Sequence, residues 1–254
     1  MLRGDAPLGA PVWIELSTSD MAASHAFYTA LLGWETEPAA VEAHGYTNFL
    51  HDGSLIAGSM IKPAEQPGSD SWFVYLASAD CEATVTAAAQ AGAQVLVPAT
   101  AVFDLGYMAF VVAPDESIVG VWQPGEHGGF SHIDEPGAPA WFELHTHQYD
   151  VALEFYTKVF GWTTDVMADS AEFRYSRLVD GDTLLAGVLD SVPHMSAEFP
   201  SHWEIYFEVE DMEAASAKVV ELGGQAITLP HESPFGQLGL FVDSTGALFK
   251  LLQR

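Results

Sequence analysis

The sequence predicts an α+β protein made by tandem duplication, each copy built from two βαβββ units. Three observations carry this. The first is an internal repeat. Residues 13–34 contain Trp13-Ile14-Glu15-Leu16, a polar corner at Ser19-Asp20, then Phe27-Tyr28 and Leu32-Gly33-Trp34. Residues 141–162 contain Trp141-Phe142-Glu143-Leu144, Gln148-Tyr149-Asp150, Phe155-Tyr156 and Phe160-Gly161-Trp162. One shift of 128 positions, from 13 to 141, places Trp13, Glu15, Phe27, Tyr28, Gly33 and Trp34 on identical residues, and a repeat of that quality dictates the architecture. The second is that a strand leading to an Asp and a helix starts again inside each copy, at Trp72 and at Trp203. The third is size: 254 residues, 49% hydrophobic and 12% aromatic, suit two well-filled domains.

Residues 1–10 read as a short leader. Val12 to Thr18 alternates and carries Trp and Ile, as a strand does. Asp20 is placed to cap a helix over 21–32, with Gly33 as its left-handed stop. Tyr46–Leu50 and Leu55–Met60 flank Asp52-Gly53, a hairpin signal. Lys62 to Ser71 is a loop. Trp72–Ala77 is the next strand, Asp80 the next cap, and an alanine-dominated helix runs over 81–91 to Gly92. Strands at Val95–Val97, Tyr107–Val112 and Ile118–Trp122 close the first domain, residues 11–123, with Pro114–Ser117 as the last turn. Residues 124–138 hold four Gly and two Pro and read as a linker. The second domain, 139–254, repeats the order: a strand at 141–147, a helix near 150–160, and a hairpin around Asp180-Gly181-Asp182. A strand at 203–209 and a helix at 212–222, stopped by Gly223-Gly224, then lead to strands at 225–229, 237–242 and 247–252.

Composition excludes several function classes. Net charge is −27 with only eight Lys and Arg, which opposes binding to nucleic acid, where phosphates must be neutralised, and to anionic membranes. An acidic surface chiefly keeps a protein soluble. No apolar run reaches eighteen residues, so no transmembrane helix is expected. The first residues lack an apolar signal core, so a cytoplasmic location is expected. The single cysteine, Cys81, excludes an intrachain disulfide and multi-cysteine metal sites. It opens the second helix, where a thiolate could be favoured, or it is a buried small residue. There is no nucleophile elbow and no glycine-rich phosphate loop, so no cofactor is implied.

Alternation puts Trp13, Glu15 and Ser17 on one strand face, and Ile14 and Leu16 on the other. Trp141, Glu143, His145 and His147 share a face in the second copy. Glu15 and Glu143, on otherwise apolar strands, are the candidate acid–base residues; the alternative is a salt bridge, a hydrogen bond or solvent exposure. His145 and His147, with Glu143 two residues before, resemble a metal-binding pair; the alternative is exposed or hydrogen-bonded histidines. Lys250 lies mid-strand between Phe249 and Leu251. It is either a ligand anchor or Schiff-base lysine, or an ion-pair partner of Glu143. Trp72 and Trp203 recur between copies, as do Tyr46 and Tyr175, through common descent or as aromatic walls for a flat ligand. Arg174 and Arg177 fall on opposite faces of one strand.

The strand–Asp–helix run ending in Gly-Trp, with the closing runs Phe110–Asp115 and Phe241–Gly246, resembles the vicinal oxygen chelate superfamily of glyoxalase I, bleomycin-resistance proteins and extradiol dioxygenases. The runs Trp122–His127 and Glu135-Pro136-Gly137 resemble a narrower group of two-domain glyoxalase-like proteins. These are often labelled hydroxylases and include a mycobacterial 27–30 kDa antigen. The resemblance implies a cupped sheet in each copy, with helices on the convex face and a ligand in the cup. Metal-dependent members use His, Glu or Gln on the cup strands. Those places map here onto Trp13, Val74 and Gly120, and onto Trp141, Ile205 and Lys250, none of them a metal ligand. The expectation is a metal-independent protein that binds a small organic molecule for sequestration or detoxification. Trp13, Trp72, Trp141, His145, Trp203 and Lys250 would contact it. The alternative is an enzyme of secondary or aldehyde metabolism, lyase- or hydroxylase-like, acting through Glu15 or Glu143. Self-association as a homodimer is left open.

Overall fold

The computed structural model describes residues 6–39, 45–63 and 68–254. Half of the expected leader, residues 1–5, and part of the loop expected at 62–71, residues 64–67, lie outside these.

The first half runs β1 (Pro11–Thr18), α1 (Met21–Leu32), β2 (Glu35–Pro38), β3 (Thr47–His51), β4 (Ser54–Ile61), β5 (Ser71–Ala77), α2 (Cys81–Gln90), β6 (Gln94–Val102), β7 (Gly106–Val112) and β8 (Ile118–Pro124). The second runs β9 (Pro139–Thr146), α3 (Tyr149–Phe160), β10 (Thr163–Asp169), β11 (Arg174–Asp180), β12 (Thr183–Asp190), β13 (His202–Glu208), α4 (Met212–Glu221), β14 (Gln225–Ser233), β15 (Gly236–Val242) and β16 (Leu248–Gln253). Helix starts follow local chemistry: Asp20, Asp80 and Asp211 each accept from the backbone N–H three residues on, filling an orphan donor of the first turn. Gly33 and Gly161 stop α1 and α3 in the left-handed region, at φ 72° and 69°. β2 was not expected as a separate strand: its Glu-Thr-Glu-Pro is exposed throughout and carries no apolar alternation.

Each half forms one eight-stranded sheet, ordered β2-β3-β4-β1-β5-β8-β7-β6 and β10-β11-β12-β9-β13-β16-β15-β14. The two βαβββ units of a half join along the antiparallel pairs β1–β5 and β9–β13. Partners across a strand pair share a face. Ile14 therefore lies beside Val74, and Leu16 beside Trp72, on the helix side. Trp13 lies beside Tyr75, and Glu15 beside Phe73, on the other. No helix covers that second face, yet Trp13, Glu15 and Tyr75 are all buried. The sheet must therefore curl around them, which makes the cup.

The helix faces of both halves share one continuous core. The repeated Phe-Tyr and Gly-Trp signatures build this shared layer, and they do so reciprocally. Tyr28 of α1 donates to Asp243 at 3.0 Å, in the β15–β16 turn of the other half. Tyr156 of α3 bonds Ser117 at 2.9 Å, in the β7–β8 turn. Trp34 donates to the Gly137 carbonyl at 2.6 Å, before β9, and Trp162 to the Gly9 carbonyl at 2.9 Å, before β1. The linker is likewise tied down: Phe130 N–H donates to Val12 O and Ser131 N–H to Leu55 O.

Candidate functional site

The helix-free face of each sheet holds the same four-residue constellation. In the first cup Trp13 Nε1 donates to Tyr46 Oη at 3.1 Å, and Tyr46 bonds Glu15. Tyr75 donates to Glu15 Oε1 at 3.2 Å. In the second, Trp141 Nε1 donates to Tyr175 Oη at 3.0 Å, and Tyr175 donates to Glu143 Oε2 at 2.6 Å. Tyr206 donates to Glu143 Oε1 at 2.6 Å. Glycines make room for the rings: a Cβ at Gly58 would meet Tyr46 Oη at 1.7 Å, and one at Gly187 would meet Tyr175 Oη at 1.9 Å. Tyr75 and Tyr206 did not emerge from the sequence as site residues. The signal was present, since they stand on the strand next to the Glu in matching registers, but only the pairing shows it.

Beyond this constellation the cups differ. Among the described residues no basic side chain bonds Glu15. Burial drives its carboxyl up to about 7, against the partial opposition of the two tyrosines. The linker covers this cup, with the His127 ring edge-on to Trp13 at 4.4 Å. Burial lowers His127 to about 4, so the ring is neutral, and its Nε2 is buried without a hydrogen-bond partner among the described residues.

The second cup is charged. Lys250 Nζ lies 2.5 Å from Glu204 Oε2 and 3.5 Å from Glu143 Oε1, and donates to Tyr206 Oη at 2.7 Å. His145 Nε2 lies 2.7 Å from Glu143 Oε1 and 3.2 Å from Glu204 Oε2. His202 stacks on His145 with ring centroids 5.3 Å apart, and its Nε2 lies 3.1 Å from Glu204 Oε1. Burial alone would raise Glu143, but Lys250 and then His145 carry it down to about 2. Burial alone would lower His145, but Glu204 and Glu143 hold it up at about 9, so it is an imidazolium at neutral pH. Two cations thus neutralise two carboxylates inside the cup.

Several expectations are corrected. Trp72 and Trp203 do not line a cup. They lie on the helix side, donating to Tyr28 Oη at 2.8 Å and Tyr156 Oη at 3.1 Å. Val74 and Ile205 also lie on the helix side, fully buried; the residues facing the cup are Phe73 and Glu204. A register off by one turns every side chain over. Lys250 approaches Glu143, but its shorter ion pair is with Glu204. The trio Glu143, His145 and His147 does not assemble, because His147 Nε2 turns to the Phe199 carbonyl at 2.9 Å. His145, His202 and Glu204 instead bring three donor atoms within 4.8 Å of one another, so the second cup does contain a metal-capable set. The expectation of no ligand residues there rested on Trp141, Ile205 and Lys250, and at the second of these the cup side holds Glu204. Of the arginines, Arg177 is on the cup side, beside Gly187. Arg174 is on the other, over the Tyr149 ring at 4.4 Å. Burial pushes the Cys81 thiol up to about 11, which leaves it un-ionised.

The donor sets can be tested against a divalent ion. The first cup offers Glu15 on its strands, with Trp13, Phe73 and Gly120 at the other positions, and neither Glu15 nor the covering His127 joins a group of three donors among the described residues, so it does not fit one. In the second, the Lys250 ammonium already sits among the donors, 3.3 Å from His145 Nε2 and 2.5 Å from Glu204. A dication would have to share that space with a buried positive charge. The set fits an ion only where Lys250 gives way.

The chain matches the family described as "Glyoxalase/Bleomycin resistance protein/Dioxygenase superfamily" twice, over residues 10–120 and 138–251. It is 34% identical over 256 residues to CFP32 of Mycobacterium bovis, a glyoxylase by name, covering 99% of this chain and 97% of the relative. It is 31% identical over 272 residues to the anthracycline biosynthesis protein DnrV of Streptomyces peucetius, covering 96% and 93%. Among solved structures, the Mn(II)-bound glyoxalase from Novosphingobium aromaticivorans superposes with a TM-score of 0.67 at 16% identity, over 97% of this chain and 82% of that one. The 2,3-dioxygenase LapB from Pseudomonas sp. KL28 gives 0.64 at 14%, over 98% and 94%. At those identities the structural likeness speaks for the fold alone. No helix among the described residues is long and apolar enough to cross a membrane. With the matched family spanning both halves, the chain belongs to the glyoxalase/bleomycin resistance protein/dioxygenase superfamily.

Proposed function

We propose that the protein takes a small organic molecule into its cups, and that the first cup moves a proton on it with Glu15 as the acid–base group. The supporting observation is the setting of Glu15: a buried carboxyl held by Tyr46 and Tyr75, with no cation among the described residues bonded to it. Such a group costs stability and gives the fold no ion pair in return. A carboxyl near 7 can both accept and release a proton at neutral pH. Trp13, Tyr46, Tyr75 and Phe110, whose ring centroid lies 4.9 Å from that of Tyr75, suit a flat carbonyl compound. The orphaned His127 Nε2 supplies one polar contact. The names of CFP32 and DnrV point to two classes for trial, α-oxo aldehydes and polycyclic aromatic ketones. Abstraction of a proton α to the carbonyl needs only a base, and in this reading no metal takes part.

The test is exchange of the α-hydrogen of such compounds into deuterated water, followed by proton NMR. The wild-type chain should catalyse exchange with a pH profile inflecting near 7. Glu15→Gln should lose at least a hundredfold in rate, and chelator should change nothing. Exchange that survives in Glu15→Gln, or that chelator abolishes and a metal restores, would overturn the proposal. Saturable binding without exchange in either protein would favour the second reading, sequestration, which the aromatic walls also support.

A further inference from the structure

Outside both cups, the β3–β4 hairpin and the linker bring together His51, His132 and Glu135. One donor atom from each lies within 4.8 Å of the others. The His51 and His132 rings stand edge to face with centroids 5.3 Å apart, and His132 Nδ1 contacts Glu135 Oε1 directly. His132 is buried, while the Glu135 carboxylate is about one-third exposed, with 33% of its side chain accessible. The cluster is therefore partly buried, with its carboxylate at the more exposed edge.

Two further features point to a ligand rather than a plain ion pair. His51 Nδ1 is buried and has no hydrogen-bond partner among the described residues, and buried ring nitrogens are rarely left so. The ring is also closely seated: a Cβ at Gly137 would lie 2.7 Å from His51 Cε1 and 2.8 Å from the Leu32 carbonyl. Gly137 is held in turn, its carbonyl by Trp34 and its N–H by Glu208 O. The backbone around the cluster is fixed from both halves, as a metal centre requires of its support.

We propose that His51, His132 and Glu135 bind a divalent transition ion of the zinc type. Two imidazoles and one carboxylate are a borderline donor set that suits zinc over calcium or magnesium, which prefer all-oxygen shells. Tetrahedral zinc with bonds of about 2.1 Å sets its donors roughly 3.4 Å apart. Binding would therefore part His132 from Glu135 slightly and draw His51 in. A net charge of −27 raises the local concentration of cations around the whole chain. The site has no counterpart in the second half, where Asp180, paired with Thr183 as His51 is with Ser54, stands at the place of His51 and joins no such cluster among the described residues. It ties the hairpin to the linker, and does not depend on the reading of the cups.

The full-length chain, stripped with chelator, would be titrated with zinc by calorimetry, then dialysed and its retained metal counted. One equivalent is expected in the wild type and in His145→Ala, which removes a donor from the second cup. Affinity should fall at least tenfold in His132→Ala and in Glu135→Gln. The latter keeps its size at a partly exposed position, so loss of folding cannot account for it; circular dichroism would confirm an unchanged fold. Cobalt substitution should give visible d–d absorption in the wild type and lose it in Glu135→Gln. Absence of stoichiometric zinc in the wild type would overturn the proposal. So would loss of zinc in His145→Ala with retention in Glu135→Gln, which would place the metal in the second cup.

Discussion

The two cups start from one frame, Trp–Tyr–Glu–Tyr, and place the same carboxyl in opposite electrostatic states. Glu15 is pushed up to about 7 by burial, and Glu143 is brought down to about 2 against burial by Lys250 and His145. The difference lies in four substitutions on neighbouring strands. Gly120 becomes Lys250, Phe73 becomes Glu204, Ser17 becomes His145 and Ser71 becomes His202, each pair matched by strand register. A buried carboxyl has no fixed acidity of its own; the next residue with a charge decides it. Duplication here leaves two settings, a carboxyl raised by burial and a carboxylate locked in an ion network.

Removing Lys250 breaks this comparison most severely. Lys250→Met should lower stability by about 3 kcal/mol in urea denaturation at pH 7, because two buried carboxylates would then share one imidazolium. Adding Glu204→Gln should restore part of the loss. If Lys250→Met costs less than about 1 kcal/mol, the network is looser than its distances indicate.

Next in size is the pH dependence of the first cup. A carboxyl raised in the folded state opposes folding once the unfolded chain ionises. Its penalty is absent below about pH 4.5, grows above it, and is complete above about 7. Glu15→Gln should remove that slope, gaining about 3 kcal/mol on the wild type between pH 4 and pH 8. In the second cup the sign is reversed. Glu143, depressed in the folded state, contributes stability that is present above about 4.5 and lost as pH falls towards 2. Parallel urea curves for wild type and Glu15→Gln across that range would show that Glu15 titrates normally.

The smallest effect sharpens the comparison. Tyr46→Phe removes one hydrogen bond from Glu15, and Tyr175→Phe removes its counterpart from Glu143. Each should cost about 1 kcal/mol. Only Tyr46→Phe should move a titration through neutral pH, carrying the Glu15 carboxyl higher still, as carbon-13 NMR of its carboxyl would record.

Much of this was legible in the sequence. The repeat fixed the architecture, and alternation put Trp13, Glu15, Trp141 and Glu143 on a single face each, since a strand's period is two. What alternation cannot supply is the register between strands. Trp72 and Trp203 were assigned to the wall of a cup because they recur, but recurrence does not tell one face from the other; pairing with Leu16 and Leu144 puts them under the helices. Glu204 and His202 were missed for the same reason. His147 follows the last residue of β9, so alternation no longer governs its direction.

The reciprocal bracing between halves bears on how the molecule comes apart. Each half completes its buried tyrosine with a turn from the other, so parting them leaves Tyr28 without Asp243 and Tyr156 without Ser117. It also leaves two indole N–H groups without carbonyls. Orphaned buried polar groups cost about 1–3 kcal/mol each, so a form with one half melted and the other intact is a poor compromise. The duplicated frame acts as a single cooperative unit, and the diverged cups share one melting event in place of two. A destabilising change in either cup is borne by the whole chain.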